Sequence, residues 1–282
     1  MKIQLKPIDE QVMVITGASS GIGLATARRA ARNGARLVLA ARSDEALREL
    51  VDEIRREGGQ AVHVEGDVGS EADVQRLGEE ARRAFGRIDT WVNNAGASVY
   101  GWALEVPVED MRRVFETNFW GVVYGSRVAC AHMRQGGGAL INIGSETSDR
   151  GIPLQAIYSA SKYAVKGWTE ALRTELMHQR VPISVTLIKP GPIDTPFTEH
   201  ARNYLEDQPK HAPPVYAPES VARAILYAAT TPVRDLFVGS GAQVMSSLNA
   251  FAPRVSDAFV EKTVIPGTHS GRPRQEHDAL FE

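Results

Sequence analysis

An alternation constrains this chain more than any single motif. Seven short apolar runs, Val12–Ile15, Leu37–Ala40, Ala61–Val64, Ile88–Val92, Ala139–Ile143, Ile183–Ile188 and Asp235–Val238, are separated by longer segments of helical period. Each run is four to six residues long and nearly continuous in apolar character. That is the pattern of strands covered on both faces, since a strand with one wet face alternates instead. The segments between them have readable helix ends. One begins near Gly21 and stops at Asn33-Gly34. The next takes Ser43 as its N-cap, carries Leu47, Leu50, Val51 and Ile54 on one face and ends at Gly58-Gly59. A third opens with Ser70-x-x-Asp73, a capping-box spacing, and ends at Gly86. Two longer helices are expected over Val108–Arg134 and Ile157–Arg180. Right-handed crossovers between parallel strands then predict an α/β fold: a Rossmann-like, doubly wound, parallel seven-stranded sheet with helices on both faces.

One domain is expected over residues 1–240, with a C-terminal helical extension and tail over 241–282. In the extension Val244, Leu248, Phe251, Val255 and Phe259 recur at helical spacing, and Pro253 is placed to start a second short helix. That stripe predicts a packing helix. A subunit contact is the alternative, and membrane-surface attachment is disfavoured by the scarcity of lysine and arginine there. From Pro266 onward the chain is polar and rich in turn formers, and a mobile tail is expected.

Composition excludes several functions. With 282 residues, 43% hydrophobic, and a formal net charge of -2, the chain has material for a full core and no basic face for a phosphate backbone. No nucleic-acid partner is expected. No window approaches about 18 uninterrupted apolar residues, so no spanning helix is expected and no membrane partner. Met1–Glu10 contains lysines without an apolar run and cleavage site behind them. Cys130 is the sole cysteine, so an internal disulfide is impossible and a cytoplasmic location is expected. The seven histidines and one cysteine show no ligand spacing, and no metal is expected.

The first run leads directly into Thr16-Gly17-Ala18-Ser19-Ser20-Gly21-Ile22-Gly23 and then a helix. Glycines here let backbone approach a pyrophosphate, and the unpaired N–H groups at the helix start attract an anion. Ser19 and Ser20 add hydroxyl donors. No lysine follows the glycines, which argues against a P-loop hydrolase. After the second run, where a carboxylate for the ribose hydroxyls is expected, the chain reads Ala40-Ala41-Arg42-Ser43. Absence of the carboxylate removes repulsion of a 2′-phosphate, and Arg42 offers a forked cation to it. NADP, with NADPH preferred over NADH, is therefore the expected cofactor; a solvated loop arginine and NAD are the alternative.

Tyr158 and Lys162 stand at i and i+4 on one expected helix face. A phenol with a pKa of about 10 is a poor base at neutral pH. A cation ~5 Å away at an effective dielectric of ~20 is worth roughly 3 kcal/mol, or about two pKa units downward. Ser145 follows the fifth run at the sheet edge where open α/β sheets bind ligands, and its hydroxyl can polarise a carbonyl oxygen. Asn118 lies inside a helical segment where asparagine has poor propensity; its amide satisfies backbone or orders water beside Lys162.

These motifs, with Asp67-Val68, Asn93-Asn94-Ala95-Gly96 and Pro190-Gly191-x-Ile193-x-Thr195, share one register. The chain thereby resembles the short-chain dehydrogenase/reductase family in its shorter single-domain branch, over about residues 10–240. The intervals agree as well: 27 residues from Asn118 to Ser145 and 13 from Ser145 to Tyr158. The resemblance implies an oxidoreductase moving a hydride between NADP(H) and a carbonyl or alcohol. It implies Tyr158 as general acid/base, Ser145 as anchor of the substrate oxygen, Lys162 as tuner of Tyr158 and ribose ligand, and Asn118 as support of a proton relay. Gly17, Ser19, Ser20, Gly21, Ile22 and Gly23 would hold the pyrophosphate. Asp67 and Val68 would meet the adenine, Asn94, Ala95 and Gly96 would lie along its ribose and brace the sheet, and Pro190, Gly191, Ile193 and Thr195 would border the nicotinamide.

The substrate loop corresponds to Thr195–Pro214. Val99, Tyr100, Trp102, Ile152, Leu154 and Phe197 suggest an apolar pocket for a small molecule, and Glu146 beside the anchor points to solvent or favours a polar substrate group. The helices 108–134 and 157–180 resemble those through which the family forms homodimers and homotetramers. Two other functions compete. A non-catalytic dinucleotide sensor would not require the complete set of motifs, and a nucleotide-sugar epimerase or dehydratase has a larger C-terminal substrate domain.

Overall fold

All seven runs become strands, and the computed structural model describes residues 3–275 and 278–281. The strands are β1 (Val12–Thr16), β2 (Arg36–Ala41), β3 (Gln60–Glu65), β4 (Thr90–Asn93), β5 (Gly138–Ile143), β6 (Ile183–Pro190) and β7 (Asp235–Val238). They form one sheet in the order β7-β6-β5-β4-β1-β2-β3, with every neighbouring pair parallel. The order reverses between β1 and β4, and the crevice above their carboxyl ends is where such sheets take ligands.

Alternate side chains explain the two covered faces. Met13, Ile15, Leu37 and Leu39 pack with α1 (Gly21–Arg32), α2 (Asp44–Arg56) and α8 (Pro218–Thr230), through Ala27, Ala30, Leu47, Ile54 and Ile225. Val12, Val14, Val38 and Ala40 face the other way. They pack against α3 (Glu71–Phe85), α5 (Gly121–Met133) and α6 (Ala156–His178), through Val74, Leu77, Ala129, Met133 and Leu176. Each fully buried aliphatic side chain stabilises the fold by about 1.5–3 kcal/mol.

The helix ends follow local chemistry. Ser43 Oγ accepts from Ala46 N–H at 3.4 Å and Ser70 Oγ from Asp73 N–H at 3.3 Å. Asp73 does not close a capping box, because its carboxylate accepts from Asp67 N–H at 3.0 Å instead. The expected helix over 108–134 is interrupted. Between α4 (Val108–Phe115) and α5, residues Glu116–Trp120 form a π turn that contains Asn118. Such turns occur often at functional sites.

The extension departs from expectation in two ways. Beyond the short α7 (Phe197–His200) and α8, it forms α9 (Ser240–Phe251) and α10 (Pro253–Thr268), with Pro253 in the first helical position. The apolar stripe does not pack inward, however. Val244, Phe251, Val255 and Phe259 are exposed, while Ser256 and Val260 face the protein. The tail is also anchored rather than free. Residues His269–Pro273 pair antiparallel with Asp207–Pro209, and Leu280 is fully buried with Val99, Val106 and Val114. Ala279 N–H donates to His200 O at 2.8 Å, and Arg202 holds Asp278 at 2.9 Å. Residues 276, 277 and 282 of the expected tail lie outside the described residues. Among the described residues no helix is long and apolar enough to cross a membrane.

Candidate active site

A cavity of about 560 Å³ opens above the carboxyl ends of the strands. Its floor is the loop between β1 and α1. Gly17 has φ +65, and a Cβ there would stand 2.8 Å from Ala95 Cα; one at Gly23 would stand 2.0 Å from Gly17 O. Only glycine fits this packing of the loop against the chain beyond β4. Helix α1 has no side-chain cap, so its first N–H groups remain available to an anion. Gly17, Ser19, Ser20, Gly21 and Ile22 line the cavity, whereas Gly23 sits beneath the loop as a close-packing residue.

The loop is held from β4. Asn94 Nδ2 donates to Thr16 O at 2.9 Å and to Gly17 O at 3.2 Å, while Thr16 Oγ1 accepts from Asn94 and Ala95 N–H. Asn93 donates to Asn142 Oδ1 at 2.8 Å and accepts from Trp91 Nε1 at 2.7 Å, which ties β4 to β5. Asn94, Ala95 and Gly96 therefore brace the sheet and also line the cavity.

At one end of the cavity stand Arg42, Asp67 and Val68. Asp67 accepts from Arg113 Nη2 at 2.6 Å and from Gly69 N–H at 2.8 Å. The Arg42 guanidinium meets the tail: Nη1 donates to Leu280 O at 3.2 Å and Nη2 to Ala279 O. Arg113 Nε donates to Leu280 O at 2.9 Å. Arg42 is thus neither a solvated loop residue nor wholly free for a ligand. A guanidinium has five N–H groups, so those not directed to the tail remain for a phosphate.

At the other end Pro190, Gly191, Ile193 and Thr195 line the wall beyond β6. Beside them α6 delivers Tyr158 and, one turn later, Lys162; Ser145 ends the segment after β5, and all three line the cavity. Ser145 begins a 3-10 turn, Glu146–Ser148, in which its Oγ accepts from Thr147 N–H at 3.1 Å and its own N–H donates to Ser148 Oγ at 3.1 Å. Lys162 Nζ donates to Ile143 O at 2.9 Å and lies 5.7 Å from the Tyr158 ring centroid. Phe197 meets Tyr158 edge to face at 5.4 Å.

The electrostatics correct a simple reading of the tyrosine–lysine pair. Burial pushes the Tyr158 phenol up to about 12, helped by the Glu146 charge and opposed by Ser145. Burial also brings the Lys162 ammonium down to about 8. The expected lowering of Tyr158 by Lys162 is absent from the site as it stands, where burial dominates both groups.

Asn118 is fully buried behind the cavity wall and does not line it. Its Oδ1 accepts from Ala97 N–H at 2.8 Å, and its Nδ2 donates to Ala97 O at 2.9 Å and Ser161 Oγ at 3.0 Å. Both amide hydrogens are thus committed to protein. The side chain joins the chain beyond β4 to α6, the first of the two uses read from sequence.

Of the residues expected to form an apolar pocket, Tyr100, Ile152 and Phe197 line the cavity. Val99 and Leu154 are buried in clusters beside it, and Trp102 is exposed. Glu146 points into the cavity wall rather than to bulk solvent. His200, Lys210, His211, Val264, Thr268 and Ala279 also line the cavity without having been singled out in the sequence. All belong to the substrate loop or the extension, whose contacts depend on tertiary docking rather than local pattern.

The family model for short chain dehydrogenases matches residues 11–206. An uncharacterized oxidoreductase, YxnA, of Bacillus subtilis (strain 168) is 52% identical over 286 residues, covering 100% of this chain and 80% of that protein. A Burkholderia phymatum short chain dehydrogenase/reductase, solved in complex with NAD, superposes with a TM-score of 0.81 at 26% identity. That match covers 97% of this chain and 99% of the other. An alcohol dehydrogenase of Thermococcus sibiricus, solved with 5-hydroxy-NADP, gives a TM-score of 0.71 at 27% identity over 80% and 95% of the two chains. On fold, site architecture and sequence together, the chain belongs to the short chain dehydrogenase family.

Proposed function

We propose that this oxidoreductase transfers a hydride between NADP(H) and the carbonyl or alcohol carbon of a small molecule, with Tyr158 as general acid/base. The observation that carries the reading is convergence: Tyr158, Lys162 and Ser145 meet in the same cavity whose floor is the glycine loop. The cleft fits a dinucleotide, because its floor is packed too tightly for a Cβ at Gly17 or Gly23 and ends at an uncapped helix start. NADPH, when bound, supplies the hydride.

In reduction, Ser145 holds the carbonyl oxygen and Tyr158 gives it a proton. A phenol near 12 keeps that proton at neutral pH, so the acid is loaded before the reaction begins. The Lys162 ammonium, charged below about 8, stabilises the phenolate left behind and binds ribose hydroxyls. Asn118 positions this machinery by fixing Ala97 and Ser161, and Ser161 Oγ in turn donates to Tyr158 O at 2.6 Å. Asp67, Val68 and Arg42 receive the adenosine end, with Asn94, Ala95 and Gly96 along the ribose and Pro190, Gly191, Ile193 and Thr195 around the nicotinamide. The preference for NADPH rests on Arg42 and on the lack of a carboxylate over 40–43. Assembly as a homodimer or homotetramer is supported by Trp120 and Tyr163, exposed on the long helices.

The test is a panel of carbonyls and alcohols run with NADPH and NADH and read by cofactor absorbance. Turnover that favours NADPH is expected. NADPH binding without turnover of any member would favour the non-catalytic sensor.

A further inference from the structure

The 3-10 turn after β5 places two functional groups side by side. Ser145 is the proposed anchor of the reacting oxygen, and Glu146, the next residue, also lines the cavity. The turn is held firmly. Glu146 O accepts from Asp149 N–H at 3.1 Å, and the Asp149 carboxylate is fixed by Lys166 at 2.5 Å and Lys189 at 2.8 Å. These lysines are therefore committed elsewhere, and Lys162 is directed to Ile143 O. The half-buried Glu146 carboxylate has no hydrogen-bond or ion-pair partner among the described residues. Burial pushes it up to about 7, so near neutral pH it both donates and accepts.

Standing alone, this carboxylate raises the Tyr158 phenol, which keeps the proton in place but disfavours the phenolate left after its transfer. A second group shares its situation. His211 Nε2 is buried without a partner on the same cavity, and burial holds the imidazole below its usual range, where it is neutral and carries one donor and one acceptor. Buried polar atoms without partners are costly, and a ligand that supplies the partners recovers that cost. Ile152, Phe197 and Val264 add apolar surface to the cavity.

Resting on the reaction class proposed above, we infer that Glu146 is a specificity-determining residue that reads a hydroxyl on the carbon next to the reacting carbonyl, with His211 on the same cavity as a second polar reader. Ser145 and Glu146 both line the cavity and both act on the Tyr158 phenol, so the two groups flank the same reacting position. A hydroxyl fits better than an ammonium for two reasons. Glu146 and His211 can each give or take a hydrogen bond, and the buried Lys162 already places a cation in the cavity.

The test compares α-hydroxyacetophenone, acetophenone and α-aminoacetophenone, and hydroxyacetone with acetone, with NADPH as reductant. Wild type should favour each hydroxyketone by at least about tenfold in kcat/KM over its unsubstituted partner, the scale of one hydrogen bond to a charged group. The ratio should shrink in Glu146→Gln and fall to about one in Glu146→Leu, with Glu146→Ala as the second truncation should the leucine variant fail to fold. Calorimetric binding of the same ketones to the NADPH-loaded Tyr158→Phe variant reads the preference without turnover. A preference there, with no turnover in wild type, would retire the reaction class and keep this inference. Equal treatment of the pairs by wild type, an unchanged ratio in the truncations, or a preference for the amine would overturn it.

Discussion

Lys162 shows how far one residue's chemistry departs from its spacing. Spacing places a cation one turn from a phenol, but the structure also removes water from both, so the tyrosine rises and the lysine falls. Replacing Lys162 with Met should abolish turnover while leaving the melting temperature at pH 7 equal to or above that of wild type, because a buried ammonium is removed. The folded lysine titrates near 8 against an ordinary 10.5, so the unfolded chain binds more protons in that window and wild-type stability gains as pH rises through it. The stability gap between variant and wild type should therefore narrow from pH 8 to 10.5. Thermal melts across that range check it, and a variant clearly less stable at pH 7 would refute it. Arg42 carries a second prediction. Arg42→Ala should weaken NADPH by about 10–100-fold, the scale of charge-assisted hydrogen bonds, and NADH by much less. Competition binding decides this, and equal losses would make Arg42 incidental to the 2′-phosphate.

At the scale of elements, the π turn and the tail were the least legible features. Continuous apolar runs announce strands, and Asp235–Val238 was read to the residue although this edge strand is only partly buried. Ser43, Ser70 and Gly86 marked helix ends because caps are local chemistry. The π turn at Glu116–Trp120 left only the poor helix propensity of Asn118 as a local mark, since the bonds of Asn118 run to Ala97 and Ser161, each distant in sequence. Asn118→Ala removes three buried hydrogen bonds and should cost about 2–4 kcal/mol, with a fall in turnover. Denaturant unfolding and kinetics check both, and a stability within 0.5 kcal/mol of wild type, about the scatter of a surface substitution, would contradict the account. The tail was misread because much of its anchoring, at Ala279 O and Leu280 O, is through main-chain carbonyls, which no side-chain pattern reveals. The apolar run Ala279-Leu280-Phe281 at the end of a polar stretch was a readable signal, and Leu280 is its fully buried member. Leu280→Ala should cost about 2–5 kcal/mol of local docking. Faster hydrogen exchange over residues 278–281, with the sheet unaffected, is the expected result; unchanged exchange would mean that Leu280 does not anchor the tail.

In the whole molecule, the sheet order explains why residues so far apart in sequence share one cavity. The reversal between β1 and β4 opens the crevice, Ser145 follows the end of β5, and α6 brings Tyr158 and Lys162 to the same edge. That much was legible, because it follows from alternation and from motifs in one register. Which residues the extension adds was not legible: it lines the cavity with Val264 and Thr268 and, beside Arg42, with Ala279. The central claim is that this cavity performs proton transfer through Tyr158 to a substrate beside bound NADPH. The most direct measurement pairs NADPH titration with turnover for Tyr158→Phe on the best substrate of the panel. The account predicts an NADPH dissociation constant within about 2-fold of wild type, since the loop and Lys162 remain, and a loss in turnover of at least about 10²-fold. Turnover within tenfold of wild type, with binding intact, would contradict it.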